Sequence, residues 1–312
     1  MTTPDPVPTV TVLDGGMGRE LLRRGAPFRQ PEWSALALIE SPGHVSAAHR
    51  AFVEAGARII TTNSYALVPF HIGAERFASE GLALAALAGR LAREVADAAP
   101  HPVRVAGSLP PICGSYRADW FDAGFARPVL EVLVRGLAPS VDHWQAETLS
   151  AIAEAELVRS VLGEDRRPLW LSFTLNDDGA IGGLPRLRSG EPAGEAVAAA
   201  VSLGAAAVLF NCSQPEVMAD AIDRAREVLL GARRFGSGGI AIGVYANAFP
   251  PQSAAAAAND GLSDIRADLG PPAYLAWARD WVRRGATVVG GCCGIGPEHI
   301  RALSTAFGET GR

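Results

Sequence analysis

The stretch Thr287-Val288-Val289-Gly290-Gly291-Cys292-Cys293-Gly294 begins as a β-branched, wholly apolar run and ends in glycines and thiols. A short run without polar alternation reads as a strand buried on both faces. Seven similar runs precede it, at residues 10–13, 58–62, 103–106, 141–144, 169–173, 206–210 and 240–244. Longer Ala/Leu-rich stretches separate them. Helices are expected at 44–55, 74–98, 128–137, 149–162, 194–203, 215–230, 273–284 and 297–307. Several open on a proline or follow a serine, both helix-start signals. Gly56 and Gly285 each stand between a helix and the next strand, where a left-handed cap sits. Eight β/α units in 312 residues predict an α/β chain folded as one (β/α)8 TIM barrel over 1–312. A doubly wound open sheet is the competing architecture. It would need a G-x-G-x-x-G turn after the first strand, and Asp14-Gly15-Gly16-Met17-Gly18 has the wrong spacing.

Composition narrows the chemistry. Lys+Arg is 28 and Asp+Glu is 33, a net charge of −5 that argues against a nucleic-acid partner. All 28 basic residues are arginine. Schiff-base aldolases, pyridoxal-phosphate enzymes and P-loop enzymes all need a lysine and are excluded. No apolar run approaches the ~20 residues that span a bilayer. Residues 1–8 are polar and proline-rich, with neither a basic nor an apolar leader segment. A cytoplasmic, reducing compartment is therefore expected, with Cys113, Cys212, Cys292 and Cys293 as thiols or ligands rather than disulfides. Residues 246–272, after strand seven, form the one long irregular stretch. This loop either covers something or mediates contacts in a homo-oligomer, or is a plain surface insertion.

Barrel active sites lie at the C-terminal ends of the strands. Asp14-Gly15-Gly16 follows the first strand, Asn63-Ser64-Tyr65 the second and Gly107-Ser108-Leu109-Pro110-Pro111 the third. Gln145-Ala146-Glu147-Thr148 follows the fourth, and the fifth ends in Ser172-Phe173-Thr174. Asn211-Cys212-Ser213, Tyr245-Ala246-Asn247 and the Gly-Gly-Cys-Cys-Gly run complete the rim. Polar groups and thiols thus gather at one end.

Vicinal cysteines pair poorly with each other, because a disulfide wants its Cα atoms ~5.5 Å apart. Glycines on either side let both thiolates reach one metal. Cys212, Cys292 and Cys293 with one open position make the pattern of a catalytic zinc site. The plain alternative for any one of them is a small buried hydrophobe. Cys113, in the third rim loop, is read as a bystander, the alternative being a fourth thiol near the mouth. Zn2+ deprotonates a thiol whose free pKa is ~8.5, giving a nucleophile. The six histidines show no paired ligand spacing, which argues against a water-activating hydrolase. Asp14 and Glu147 are placed to read a substrate ammonium; each could instead cap a turn or a helix. Amides of Gly15, Gly16 and the third rim loop offer a nest for a carboxylate.

These motifs, in this order and over essentially the whole chain, resemble the homocysteine S-methyltransferase family. The matching elements are Leu13-Asp14-Gly15-Gly16-Met17-Gly18, Thr61-Thr62-Asn63, Glu147-Thr148, Asn211-Cys212 and Gly290-Gly291-Cys292-Cys293-Gly294. The last, with its upstream Asn-Cys, is highly specific. The family includes betaine– and S-methylmethionine–homocysteine methyltransferases and the homocysteine module of cobalamin-dependent methionine synthase. The resemblance implies zinc on Cys212, Cys292 and Cys293. Homocysteine would bind through its sulfur to the metal and through its amine to Asp14 and Glu147. The sulfur would then attack a methyl donor to give methionine, with no general base on the protein.

Three features depart from the family pattern. Tyr245-Ala246-Asn247 stands where Tyr-Pro-Asn is common, and Gly107-Ser108-Leu109-Pro110-Pro111 where Gly-Ser-x-Gly-Pro is common. Arg186, Arg188 and Phe249-Pro250-Pro251 match no donor-specific pattern. A donor without protons to give binds over aromatic faces. Tyr65, Trp120, Phe121, Trp144, Phe173 and Tyr245 are the candidates, with about two expected to touch it. The short chain favours a small free donor, S-methylmethionine before betaine. Two other readings remain. One is a phosphate-binding lyase or isomerase that uses Gly290-Gly291. The other is a thiol-redox or binding barrel that uses Cys292 and Cys293.

Overall fold

The computed structural model describes residues 9–177, 183–233, 239–252 and 264–308. Residues 253–263 of the expected 246–272 loop lie outside them. The strands are β1 (Thr11–Val12), β2 (Ile59–Thr61), β3 (Arg104–Leu109), β4 (His143–Leu149), β5 (Leu169–Phe173), β6 (Ala207–Asn211), β7 (Ala241–Tyr245) and β8 (Val288–Val289). They pair in parallel in the order β1-β8-β7-β6-β5-β4-β3-β2. A parallel bridge from Leu13 to Ile59 joins the two ends of the sheet. The result is the expected (β/α)8 barrel, and the open sheet is excluded.

The helices around it are α1 (Met17–Arg23), α2 (Ser34–Glu40), α3 (Pro42–Glu54), α4 (Pro69–Ile72), α5 (Ala74–Asp97), α6 (Ala123–Leu137), α7 (Ile152–Leu162), α8 (Ala193–Ser202), α9 (Met218–Arg233), α10 (Pro271–Arg284) and α11 (Pro297–Phe307). Among the described residues, no helix is long and apolar enough to cross a membrane. Gly285 ends α10 at φ 118° and Gly56 follows α3 at φ 101°. Only glycine takes such angles without strain.

Two cores hold the barrel. Leu13, Ile59, Ala106, Trp170, Ala207, Leu209, Tyr245 and Val288 fill its interior. A larger layer, including Phe52, Leu133, Trp144, Phe173 and Trp281, seals the sheet against the helices. Strand side chains alternate between these layers, so His143, Gln145 and Glu147 share one face of β4.

Three expectations need correction. Strand four runs to Leu149 rather than ending at residue 144, so Gln145, Glu147 and Thr148 belong to the strand. The helix expected from 149 begins at Ile152. Its helix-start acid is Glu154, whose carboxylate accepts from the amides of Ser150 (2.5 Å) and Ala151 (3.0 Å). The helix expected from Pro128 begins five residues earlier, where Asp122 accepts from Gly124 and Phe125 amides. Pro128 therefore sits inside α6 rather than opening it. Helices α1, α2 and α4 have no counterpart among the helices expected from sequence. Each spans seven residues or fewer, too short for helical periodicity to register. Local pairs hold α1: Glu20 bonds Arg23 at 2.7 Å and Arg24 at 2.5 Å.

Candidate metal and substrate site

The C-terminal end of the barrel opens into a cavity of about 360 Å3. Three sulfurs meet on its wall. Cys212 follows β6, and Cys292 and Cys293 follow β8. The Cys292 thiol donates to Cys212 at 2.8 Å, and Cys212 and Cys293 are 3.9 Å apart. All three lie within 4.8 Å of one another, the one such ligand group among the described residues. Hydrogen bonds from Cys292 and Cys293, with a third from Tyr116, hold the Cys212 thiol well below its usual range. Its partners are pushed up by the same contacts.

Close backbone approach brings the pair into place. A Cβ on Gly16 would lie 2.5 Å from the Cys292 carbonyl oxygen, and one on Gly291 would meet the Ile295 side chain. A side chain at Gly16 would push the cysteine turn away from the segment that follows β1, and one at Gly291 would displace Ile295 within that turn. Gly16 donates its amide to the Ile295 carbonyl at 2.9 Å, so it does not contribute to a carboxylate nest. Nor does Ser108, whose amide bonds Thr62 Oγ1 at 3.0 Å within β3. Gly15 lines the cavity.

Two buried carboxylates face the sulfurs across the cavity. Asp14 accepts from the Thr61 amide at 2.7 Å and the Thr61 hydroxyl at 3.0 Å. Burial raises its pKa to about 7, against the pull of those bonds. Glu147 accepts from Ser108 Oγ at 2.5 Å, Tyr245 OH at 3.3 Å and Gln145 Nε2 at 3.4 Å. Burial raises its pKa as well. Beside it, Thr148 takes φ 61° and Cys212 takes φ 52°, conformations costing ~1–2 kcal/mol each outside glycine. Asn211 spans the two strained residues. Its Oδ1 accepts from the Thr148 amide (3.0 Å) and Ser172 Oγ (2.8 Å), and its Nδ2 donates to Thr148 Oγ1 (2.9 Å). This explains why asparagine precedes Cys212: it ties the upper end of β4, beside Glu147, to the Cys212 turn.

A sequence model described as homocysteine S-methyltransferase matches residues 11–307. The chain belongs to the homocysteine S-methyltransferase family. Homocysteine S-methyltransferase 4 of Zea mays is 30% identical, over 96% of this chain and 89% of its own. A selenocysteine methyltransferase of Astragalus bisulcatus is 27% identical, over 94% and 90%. The crystal structure of the Escherichia coli homocysteine methyltransferase MmuM in metallated form superposes with a TM-score of 0.72. It is 27% identical and covers 96% of both chains. Family membership removes the lyase and redox-protein readings.

As a homocysteine S-methyltransferase, the chain brings Asp14, Gly15, Tyr65, Glu147, Cys212, Tyr245, Cys292 and Cys293 to one cavity. Of the six aromatic candidates, only Tyr65 and Tyr245 line it. Trp144 and Phe173 point outward into the helix layer, with no exposed surface. Trp120 is exposed and stacks under Arg117 at 3.8 Å. Phe121 packs against the core. Phe28, Trp33, Tyr116 and Phe249 line the cavity instead. They sit on loops whose course the strand pattern does not reveal. Cys113 faces the Asp122 backbone, outside the site. His71 reaches the cavity wall while bonded to the Pro31 carbonyl at 2.9 Å.

Proposed function

We propose that this chain moves a methyl group from a small sulfonium donor to the sulfur of homocysteine, giving methionine, with Zn2+ held by Cys212, Cys292 and Cys293. The observation that carries this reading is one cavity that joins three clustered sulfurs to two buried carboxylates. Three thiolates are a soft donor set suited to zinc, and three protein ligands leave a fourth position for substrate. Zinc, when bound, supplies the charge that removes the proton from an arriving thiol.

The rest falls to the chain's own side chains. Asp14 and Glu147 receive the amino group of homocysteine, and the ammonium draws both carboxylates into their charged forms. Ser108, Gln145 and Tyr245 hold Glu147 in position. Tyr65 and the aromatic wall shelter the donor, whose positive charge is attracted to ring faces. The homocysteine sulfur forms its bond to the methyl carbon as the donor's carbon–sulfur bond breaks. The bonding pair stays on the donor sulfur, which leaves as a neutral thioether. No residue needs to give or take a proton in that step. A reducing compartment such as the cytoplasm keeps the three thiols available.

A screen of donors with labelled methyl groups tests the reading. S-methylmethionine is expected to show the highest kcat/KM and betaine a lower one. Betaine as the better donor would overturn the donor assignment. Failure of every sulfonium and quaternary ammonium donor to methylate homocysteine would overturn the proposal.

A further inference from the structure

Arg188 has no role in the chemistry above, yet its charged side chain is almost wholly buried. Its guanidinium pairs with Asp177 at 2.8 Å, with side-chain exposures of 1% and 0%. It donates also to the Gln252 carbonyl at 2.8 Å. Asp177 in turn accepts from the Gln214 amide at 2.9 Å and the Gln252 amide at 3.1 Å. This clasp therefore ties together the segments that follow β5, β6 and β7, and Gln214 is two residues beyond Cys212.

The guanidinium carbon lies 4.9 Å from the centre of the Tyr116 ring. On the other side, the Tyr116 hydroxyl donates to Cys212 Sγ at 3.1 Å. Tyr116 is held at φ 68°, a conformation disfavoured for any residue but glycine. A cation over a phenol ring withdraws electron density from it and makes the hydroxyl a stronger donor. A strong hydrogen bond to a thiolate removes charge from the sulfur. A metal held by that sulfur then keeps more positive charge for its remaining ligand, as outer partners of metal ligands commonly arrange.

We propose that Tyr116, polarised by Arg188, is a positioning residue that withdraws charge from Cys212 and so strengthens the hold on the homocysteine thiol. The inference rests on the metal reading of the three cysteines. Arg188 acts through Tyr116, and Asp177 fixes Arg188 over the ring.

The test substitutes Co2+ for the metal and records the cysteine-sulfur-to-cobalt charge-transfer absorption of Tyr116→Phe, Arg188→Lys and the double variant. Phenylalanine keeps the ring and its stacking, and lysine keeps the charge opposite Asp177. Loss of the hydroxyl moves the band to longer wavelength and weakens homocysteine binding about tenfold, the low end for an outer partner of a metal ligand. Arg188→Lys shifts the band the same way by less, because an ammonium does not stack as a guanidinium does. In the double variant, where the hydroxyl is already gone, the lysine change has no further effect. A band that does not move in Tyr116→Phe overturns the proposal. A lysine shift that persists without the hydroxyl overturns the role given to Arg188. Absence of any sulfur-to-cobalt band in the unaltered protein overturns the metal reading and this one with it.

Discussion

Alanine in place of Cys292 leaves the purified chain without zinc and lowers methyl transfer on the order of a thousandfold, beyond the 10–100-fold typical of losing an outer partner of a metal ligand. Cys292 is the closest neighbour of Cys212, at 2.8 Å. Its loss leaves two sulfurs, short of the set that holds a catalytic zinc. The fold should survive. Cys292 is only partly buried at the cavity wall, and the barrel strands do not depend on it, so stability changes by roughly 1 kcal/mol. Cys212→Ala and Cys293→Ala behave alike, and Cys113→Ala, outside the site, retains both metal and activity. Metal analysis with a methyl-transfer assay checks all four. Full zinc and full activity in any one of the first three would falsify that ligand assignment.

The second large effect belongs to Asp14. Its carboxylate titrates at about 7 in the free protein, pushed up mainly by burial. An ammonium needs the charged form. Amino-acid affinity therefore rises with pH as Asp14 is charged, by about tenfold per pH unit from this group below about 7, and Glu147, also raised by burial, adds to the rise. Methionine is the ligand to use, because it carries no thiol to titrate. Asp14→Asn removes the part of this pH dependence that belongs to Asp14, leaving that of Glu147, whose pKa burial also raises, and weakens binding by roughly 2–5 kcal/mol, the cost of breaking a buried charge pair. The free protein responds in the opposite direction. A carboxyl with a raised folded pKa contributes stability that is fully present below its unfolded value of 3.8. That contribution is lost as pH rises through about 7. The asparagine variant is therefore more stable than its parent at pH 8, by roughly 2–4 kcal/mol, and close to it at pH 4. The Thr61 hydroxyl can turn to accept from the new amide. Calorimetric titration with methionine and thermal melts at both pH values check this. Unchanged methionine affinity in the variant would remove Asp14 from the amino-group site.

Much of this is readable from residues alone, for a physical reason. Strands buried on both faces are continuous apolar runs, and residues that end them at the rim must be polar if they carry chemistry. Asp14, Cys212 and Cys292 stand out on that basis. Glu147 stands out by its charge, but the sequence places it in a loop. Gln145 and Thr148 look like loop residues too, because β4 lines a polar cavity and its upper half lacks the apolar signature of its neighbours. The aromatic wall is mostly hidden from the sequence. Trp144 and Phe173 have the right residue type but point into the helix layer, a consequence of strand parity that one-residue errors in register invert. Tyr116, Trp33 and Phe249 are placed by loop conformations, and their approach to the cavity depends on contacts far apart in the chain. The Asp177–Arg188 clasp is of that kind. Nothing in the local sequence ties Arg188 to Tyr116, 72 positions earlier.

The most direct test of the central claim is metal analysis of the unaltered protein, purified under reducing conditions, with X-ray absorption at the zinc edge. One zinc per chain is expected, bound by three sulfurs, with a fourth sulfur appearing when homocysteine is added. Protein that holds no zinc when supplied with it, or zinc whose sulfur coordination homocysteine does not change, would contradict activation of the thiol at these three cysteines.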